Sequence, residues 1–360
     1  MRLANTVLFL VLCNMLLAQK SSDVWIEARA KLGFLVAHRS IMGHLAKEHA
    51  HAVEISYLIQ PKGRKSWHQA YRNPVFGITG FVGSVGNREV LGHYFSAFAF
   101  INFPFVKRKR YTLSGKLGSG LGYGTKYYKK NYPEDPSTIL NVAVSTPINA
   151  HISLALENRF VFGNHSVNAS IDMTHFSNGA IKVPNLGLNL PYVSVGYGYR
   201  IKKSRDSIFQ HAPFDKYWEF GAVGILSVKE VFPTGGNKYP VYGLNLMGRR
   251  YFSHKTAMEV SFDFISKQAI FQYHSDVPKT QEEIIQLGIF AGYILPFDNF
   301  HILGGMGVYV RDKYFPEDRV YHRVGMRYVF DNGLNINFVL KTHWARADYV
   351  EYGIGYTFRK

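Results

Sequence analysis

From about residue 28 to the C-terminus the chain repeats one pattern. Segments of roughly 9 to 14 residues alternate between apolar and polar positions and are separated by polar or Gly/Pro-containing breaks. Alternation with period two puts successive side chains on opposite faces of a strand. The pattern predicts strands over 28–37, 50–60, 74–83, 91–103, 110–124, 150–162, 166–177 and 190–201. A second set follows over 216–228, 239–252, 256–267, 283–295, 299–311, 319–330, 334–344 and 347–358. Segment 139–145 reads as either a further strand or a loop. The clearest strand is 166–177, where Val167, Ala169, Ile171 and Met173 alternate with Ser166, Asn168, Ser170, Asp172 and Thr174. Gly163-Asn164 before it is a tight turn, and 178–189 after it is a longer connection.

A strand with one apolar and one polar face, repeated so often, predicts an all-β fold: a transmembrane antiparallel β-barrel of about 14–16 strands, an even number being preferred in a single-chain barrel. The aromatic-rich terminal strand YVEYGIGYTF (349–358) agrees, although Arg359 and Lys360 follow its last aromatic. A faint internal echo links GLGYGTKYYKKNYPED (120–135) to GMGVYVRDKYFPED (305–318). It extends to Thr174-His175 and Thr342-His343, and suggests duplication of an eight-stranded unit. The expected organisation is therefore a signal peptide over 1–18, a barrel half over 19–205 and a second half, a degenerate repeat, over 206–360. One barrel or two is left open by the pattern.

The signal peptide rests on Arg2, the apolar run Val7–Leu17 and the small Ala18 at the cleavage position. That run is too short for a spanning helix, which needs about 20 apolar residues. Cys13 is the only cysteine, and a lipoprotein site is disfavoured because Leu12, not a small residue, precedes it. After cleavage no thiol remains, which excludes a disulfide scaffold and thiolate-bound zinc. The 24 Tyr, 27 Phe and 33 Gly suit the aromatic girdles and tight turns of a membrane barrel. The formal net charge of +17 fits either nucleic acid or an anionic lipid surface. Export and the absence of any nucleic-acid-binding motif decide for the membrane, with no nucleic-acid partner expected.

His175 and Ser177 share the apolar, outward parity of Ile171 and Met173. Polar groups on a lipid-facing wall lose hydration and need partners. As a pair they make chemical sense, since an imidazole can activate a serine hydroxyl. Asn189 has outward parity on the next strand, and its carbonyl oxygen can accept from an imidazole N–H and fix the tautomer.

The stretch HFSNGAIKVPNLGLN (175–189) resembles the signature of the PagL-type lipid A 3-O-deacylases, outer-membrane barrels that remove an ester-linked acyl chain from lipid A. The motif covers about 15 residues, the compatible strand pattern about 150. The resemblance implies that His175 is the base and Ser177 the nucleophile. It also implies that Asn178, Gly179, Ala180 and Asn185 surround the oxyanion. The family's third member is a Glu, and Asn189 stands at the matching position. The family's barrel has eight strands, so the second half has no counterpart in it. The expected function is an outer-membrane carboxylic-ester hydrolase that uses lipopolysaccharide as partner and needs no metal or other cofactor. The rival is a non-catalytic porin, transporter or structural barrel that keeps a relic motif; a phospholipid esterase is a third reading.

Other polar features have plainer readings. His343 has lumen-facing parity, and Ala345 occupies the position that Ser177 has in the first half. His49 and His51 beside Glu48 read as a solvated loop before a metal site. Lys107–Arg110 and Lys129-Lys130 read as solvated turns, able to hold lipid A phosphates only if extracellular. The glycines of 118–123 lack the strand-then-helix context of a dinucleotide site.

Overall fold

The computed structural model describes residues 22–130, 133–205, 209–274, 276, 278–314, 318–344 and 346–359. The expected export signal, residues 1–18, lies outside them. The chain divides into two compact units, one holding residues up to 178 together with 184–211, the other 179–183 and 212–360. Each carries a closed antiparallel barrel of eight strands.

The first barrel is built from β1 (Ser22–Phe34), β2 (His49–Pro61), β3 (Val75–Ser84), β4 (His93–Lys107), β5 (Tyr111–Gly124), β6 (Ile148–Phe162), β7 (His165–Ser177) and β8 (Leu188–Lys202). Each strand pairs with its successor, and β1 closes on β8. The second consists of β9 (Tyr217–Glu230), β10 (Lys238–Ser253), β11 (Thr256–Lys267), β12 (Ile285–Phe297), β13 (Phe300–Arg311), β14 (Val320–Val329), β15 (Leu334–His343) and β16 (Arg346–Arg359). There β16 closes on β9.

The sixteen alternating segments thus fold as sixteen strands, with β1 the one clear displacement. It begins at Ser22, not near residue 28, because Ser22–Trp25 is buried without alternation. A register irregularity between Val24 and Trp25 in the pairing with β8 absorbs the break. Segment 139–145 is a connection; a 3₁₀ turn over Pro136–Leu140 overlaps its start, capped by Asp135 Oδ1 accepting from Ser137 N–H at 3.2 Å.

Eight strands leave an interior that side chains can fill. In the first barrel Arg29 Nη2 sits 2.7 Å from Glu27 Oε1 and 2.5 Å from Glu157 Oε2. Lys31 Nζ lies 2.9 Å from Glu54 and 2.7 Å from Asp172. All six side chains are buried. An apolar cluster that includes Leu35, Met42, Leu45, Val85, Leu91, Val144 and Phe176 closes the interior. These residues come mostly from the 35–48, 85–92 and 125–147 connections, at the end where β7 finishes. The second barrel is filled the same way: Arg249 bridges Glu219 and Glu259, and Arg323 bridges Asp263 and Glu351. Outside, large apolar side chains stand exposed along every strand, among them Ile55, Ile171, Val195, Phe262 and Val310. A wall of this kind suits lipid rather than water. No helix among the described residues is long and apolar enough to cross a membrane.

Candidate functional site

The end of β7 and the start of β8 place three of the sequence-derived residues together. Along β7 the odd positions are outward, with Ile171 68% and Met173 38% exposed, while Phe176 is fully buried inside against Tyr94, Phe81 and His151. His175 and Ser177 follow Met173 on the outer face. Despite that face, Ser177 is only 8% exposed. Asn189 pairs directly with His175 in the β7–β8 ladder.

His175 Nδ1 lies 2.7 Å from Asn189 Oδ1. A carbonyl oxygen can only accept, so the imidazole donates from Nδ1 and carries its lone pair on Nε2. This tautomer has the basic nitrogen directed away from its anchor, as a general base requires. Asn189 lends no charge to a developing imidazolium, which separates it from a carboxylate in the same place.

The connection after β7 is held by its own asparagines. Asn178 N–H donates to Asn185 Oδ1 at 3.0 Å, and Asn178 Nδ2 donates to Ser145 Oγ at 3.2 Å. Fixing Asn185 by its oxygen leaves its amide nitrogen as the donor end. Gly179 and Ala180 follow with φ of +66° and +64°. The left-handed region is costly for Ala180 and is kept only where surroundings enforce it.

Sequence reasoning missed Gly187. Its φ is +79°, and a Cβ built there would lie 2.6 Å from His175 Cε1 and 3.3 Å from Nε2. Its N–H donates to the Ala143 carbonyl at 2.8 Å, so the backbone cannot easily retreat. Glycine is therefore the residue that lets this connection pass the imidazole. Gly187→Ala should keep the barrel, scored by heat-modifiable migration on gels, and should lower any reaction in which the His175 imidazole takes part by about 10- to 100-fold through a displaced ring. Wild-type turnover in that variant would show that the ring has room to spare.

An apolar depression of about 610 Å³ lies on the same outer wall, lined by residues that include Val53, Ile55, Gly80, Val82, Phe95, Ala97, Leu121 and Ile148. Register explains its course. Ser177 pairs with Ala150, Ala150 with Leu121, Leu121 with Ala97, Ala97 with Gly80, and Gly80 with Ile55. Three of these outward positions carry a methyl group or nothing, and a Cβ at Gly80 would meet no atom within 4 Å. At about 4.8 Å per strand the row from Ser177 to Gly80 spans about 19 Å, the length scale of a fatty acyl chain.

The remaining polar features lie elsewhere. Lys107–Arg110 joins β4 to β5, at the end opposite Ser177, so it is not placed to hold a substrate's phosphates. Lys129 and Lys130 lie in the 125–147 connection at the site's own end. His49 and His51 belong to β2 and face outward, not to a loop. Among the described residues no group of three or more His, Cys, Asp or Glu is placed to hold a metal. His343 points inward and is 1% exposed, as its parity implied.

Two family models match the chain: Lipid A 3-O-deacylase (PagL) over residues 51–200, and Acyloxyacyl hydrolase, C-terminal domain, over residues 216–360. No curated protein sequence matches it. Solved structures similar to it include mutants of a Rhodopseudomonas blastica porin, 7% or 8% identical, with 93% of this chain and 100% of the porin covered at TM-scores of 0.17 to 0.20. A deletion mutant of the monoaromatic hydrocarbon channel TodX is 10% identical, with 96% of this chain and 91% of that one covered, also at 0.20. Likenesses that loose carry no argument about function.

Proposed function

The chain belongs to the lipid A 3-O-deacylase (PagL) family, and from that premise we propose that it is an outer-membrane ester hydrolase that removes an ester-linked acyl chain from lipid A. One observation carries the reading to particular atoms. On the outer face of β7, two residues from Ser177 and in strand register with an apolar depression, the His175 imidazole is held by Asn189 in the tautomer of a base. A substrate dissolved in the outer leaflet would meet this wall without leaving the membrane.

The proposed reaction runs through these residues. Ser177 Oγ attacks the acyl carbonyl while His175 Nε2 takes its proton. The tetrahedral oxyanion is met by Asn185 Nδ2 and by backbone N–H groups of the Gly179-Ala180 turn; donors aimed at developing charge contribute most of the stabilisation in such sites. The adduct collapses, the C–O bond to the sugar breaks, and His175 returns the proton to the departing hydroxyl. Water, deprotonated by the same imidazole, then cleaves the acyl-serine ester and restores the enzyme. Residues 1–18 act as the export signal, and 19–205 carry the catalytic half.

Mass spectrometry of lipid A from cells expressing the chain tests this. The expected result is loss of one ester-linked acyl chain with the wild type and intact lipid A with Ser177→Ala. Identical lipid A from both, with both proteins folded in the outer membrane, overturns it.

A further inference from the structure

The hydrogen-bond chain does not end at Asn189. Its Nδ2 lies 3.1 Å from His38 Nδ1, on the segment that follows β1. That segment is tied to the same residue, with Val36 N–H donating to the Asn189 carbonyl at 2.9 Å. The three side chains therefore run in order across neighbouring strands: His175 at the end of β7, Asn189 at the start of β8, His38 just beyond β1.

An amide at this position raises a problem that a carboxylate does not. Both oxygens of a carboxylate accept, so either can hold the His175 Nδ1–H. An amide rotated by half a turn offers Nδ2 to the imidazole instead, which forces the ring proton onto Nε2 and removes the lone pair that must receive the serine proton. Something must choose between the two orientations. Here a neutral His38 with an unprotonated Nδ1 accepts from Asn189 Nδ2–H, which leaves Oδ1 for His175.

We propose that His38 is a positioning residue that fixes the amide of Asn189 and, through it, the tautomer of His175. The proposal rests on the reading of His175 as the base of an ester hydrolase. It adds a residue outside the 175–189 stretch, and it explains how an asparagine can serve there.

The test uses the full-length protein in detergent micelles, with folding checked by heat-modifiable migration. His38→Ala should lower kcat about tenfold with KM unchanged, the loss expected for one orienting hydrogen bond. His38→Lys, which can only donate, should turn the amide round and fall further. His38→Asp, which can only accept and has its oxygens at the reach of Nδ1, should restore activity to within about twofold of wild type. Independently of turnover, ¹⁵N spectra of histidine-labelled protein should show the Nδ1–H form of His175 in wild type and His38→Asp, and its loss in His38→Lys. An unchanged His175 tautomer in His38→Lys, or wild-type kcat in both His38→Ala and His38→Lys, overturns the role of His38. Lipid A left intact by wild-type protein would instead refute the hydrolase reading, and the ¹⁵N spectra would still decide on His38.

Discussion

His175→Gln and Ser177→Ala should each lower the rate of acyl release by about 10⁴-fold or more, and the double substitution should lower it no further. In the proposed mechanism the two side chains serve one event, the passage of a proton from Oγ to Nε2 as the C–O bond forms. Removing either leaves the other with nothing to do, so their losses cannot add. On that mechanism, what survives is catalysis by substrate placement along the trough and by the proposed Asn185 donor, which neither substitution touches. Both positions are on the outer wall and outside the interior ion-pair network, so the variants should fold and migrate as wild type does. Fatty-acid release from lipid A by the purified protein measures the effect. Two losses that multiply in the double variant would mean that the residues act in separate steps, and a residual rate near wild type would remove them from the chemistry.

Much of this arrangement is visible in the chain before any coordinates. Val167 to Met173 alternates cleanly enough to set the parity of His175 and Ser177, and parity alone puts them on the lipid side. Strand positions are equally legible, because a lipid-facing apolar position must recur every second residue in each spanning segment. Closure is not. Whether sixteen strands make one barrel or two depends on β1 meeting β8 and β16 meeting β9, as in Ile26 opposite Tyr199 and Gly353 opposite Ile225. Such long-range registers leave no mark on the period of any single strand. The site shows the same division. Asn189 lies 14 residues from His175 and is found by counting, whereas His38 is 151 residues from its partner Asn189 and no local pattern announces it. Gly187 precedes a strand, as many glycines do; only its closeness to the imidazole gives it a role.

The filled interior leads to the other large effect. Arg29→Met should destabilise the first barrel by about 3–5 kcal/mol, because it takes the cation in direct contact away from two buried carboxylates. Arg29 Nη2 contacts both Glu27 and Glu157, and its Nη1 donates to Ser170 Oγ at 2.9 Å. Glu157 also accepts from the Asn102 amide at 3.2 Å, and the more distant Lys116 and Arg159 lend it only part of the charge that Arg29 supplies in direct contact. The favourable attraction of such a network is largely offset by the cost of dehydrating its ions, so its worth is seen on breaking it, not on replacing it whole. Arg29→Met combined with Glu27→Gln and Glu157→Gln should therefore recover more than half of the loss. Urea unfolding of the micelle-refolded protein, followed by tryptophan fluorescence, measures both. Equal midpoints for Arg29→Met and wild type would mean that water enters the lumen and solvates the carboxylates.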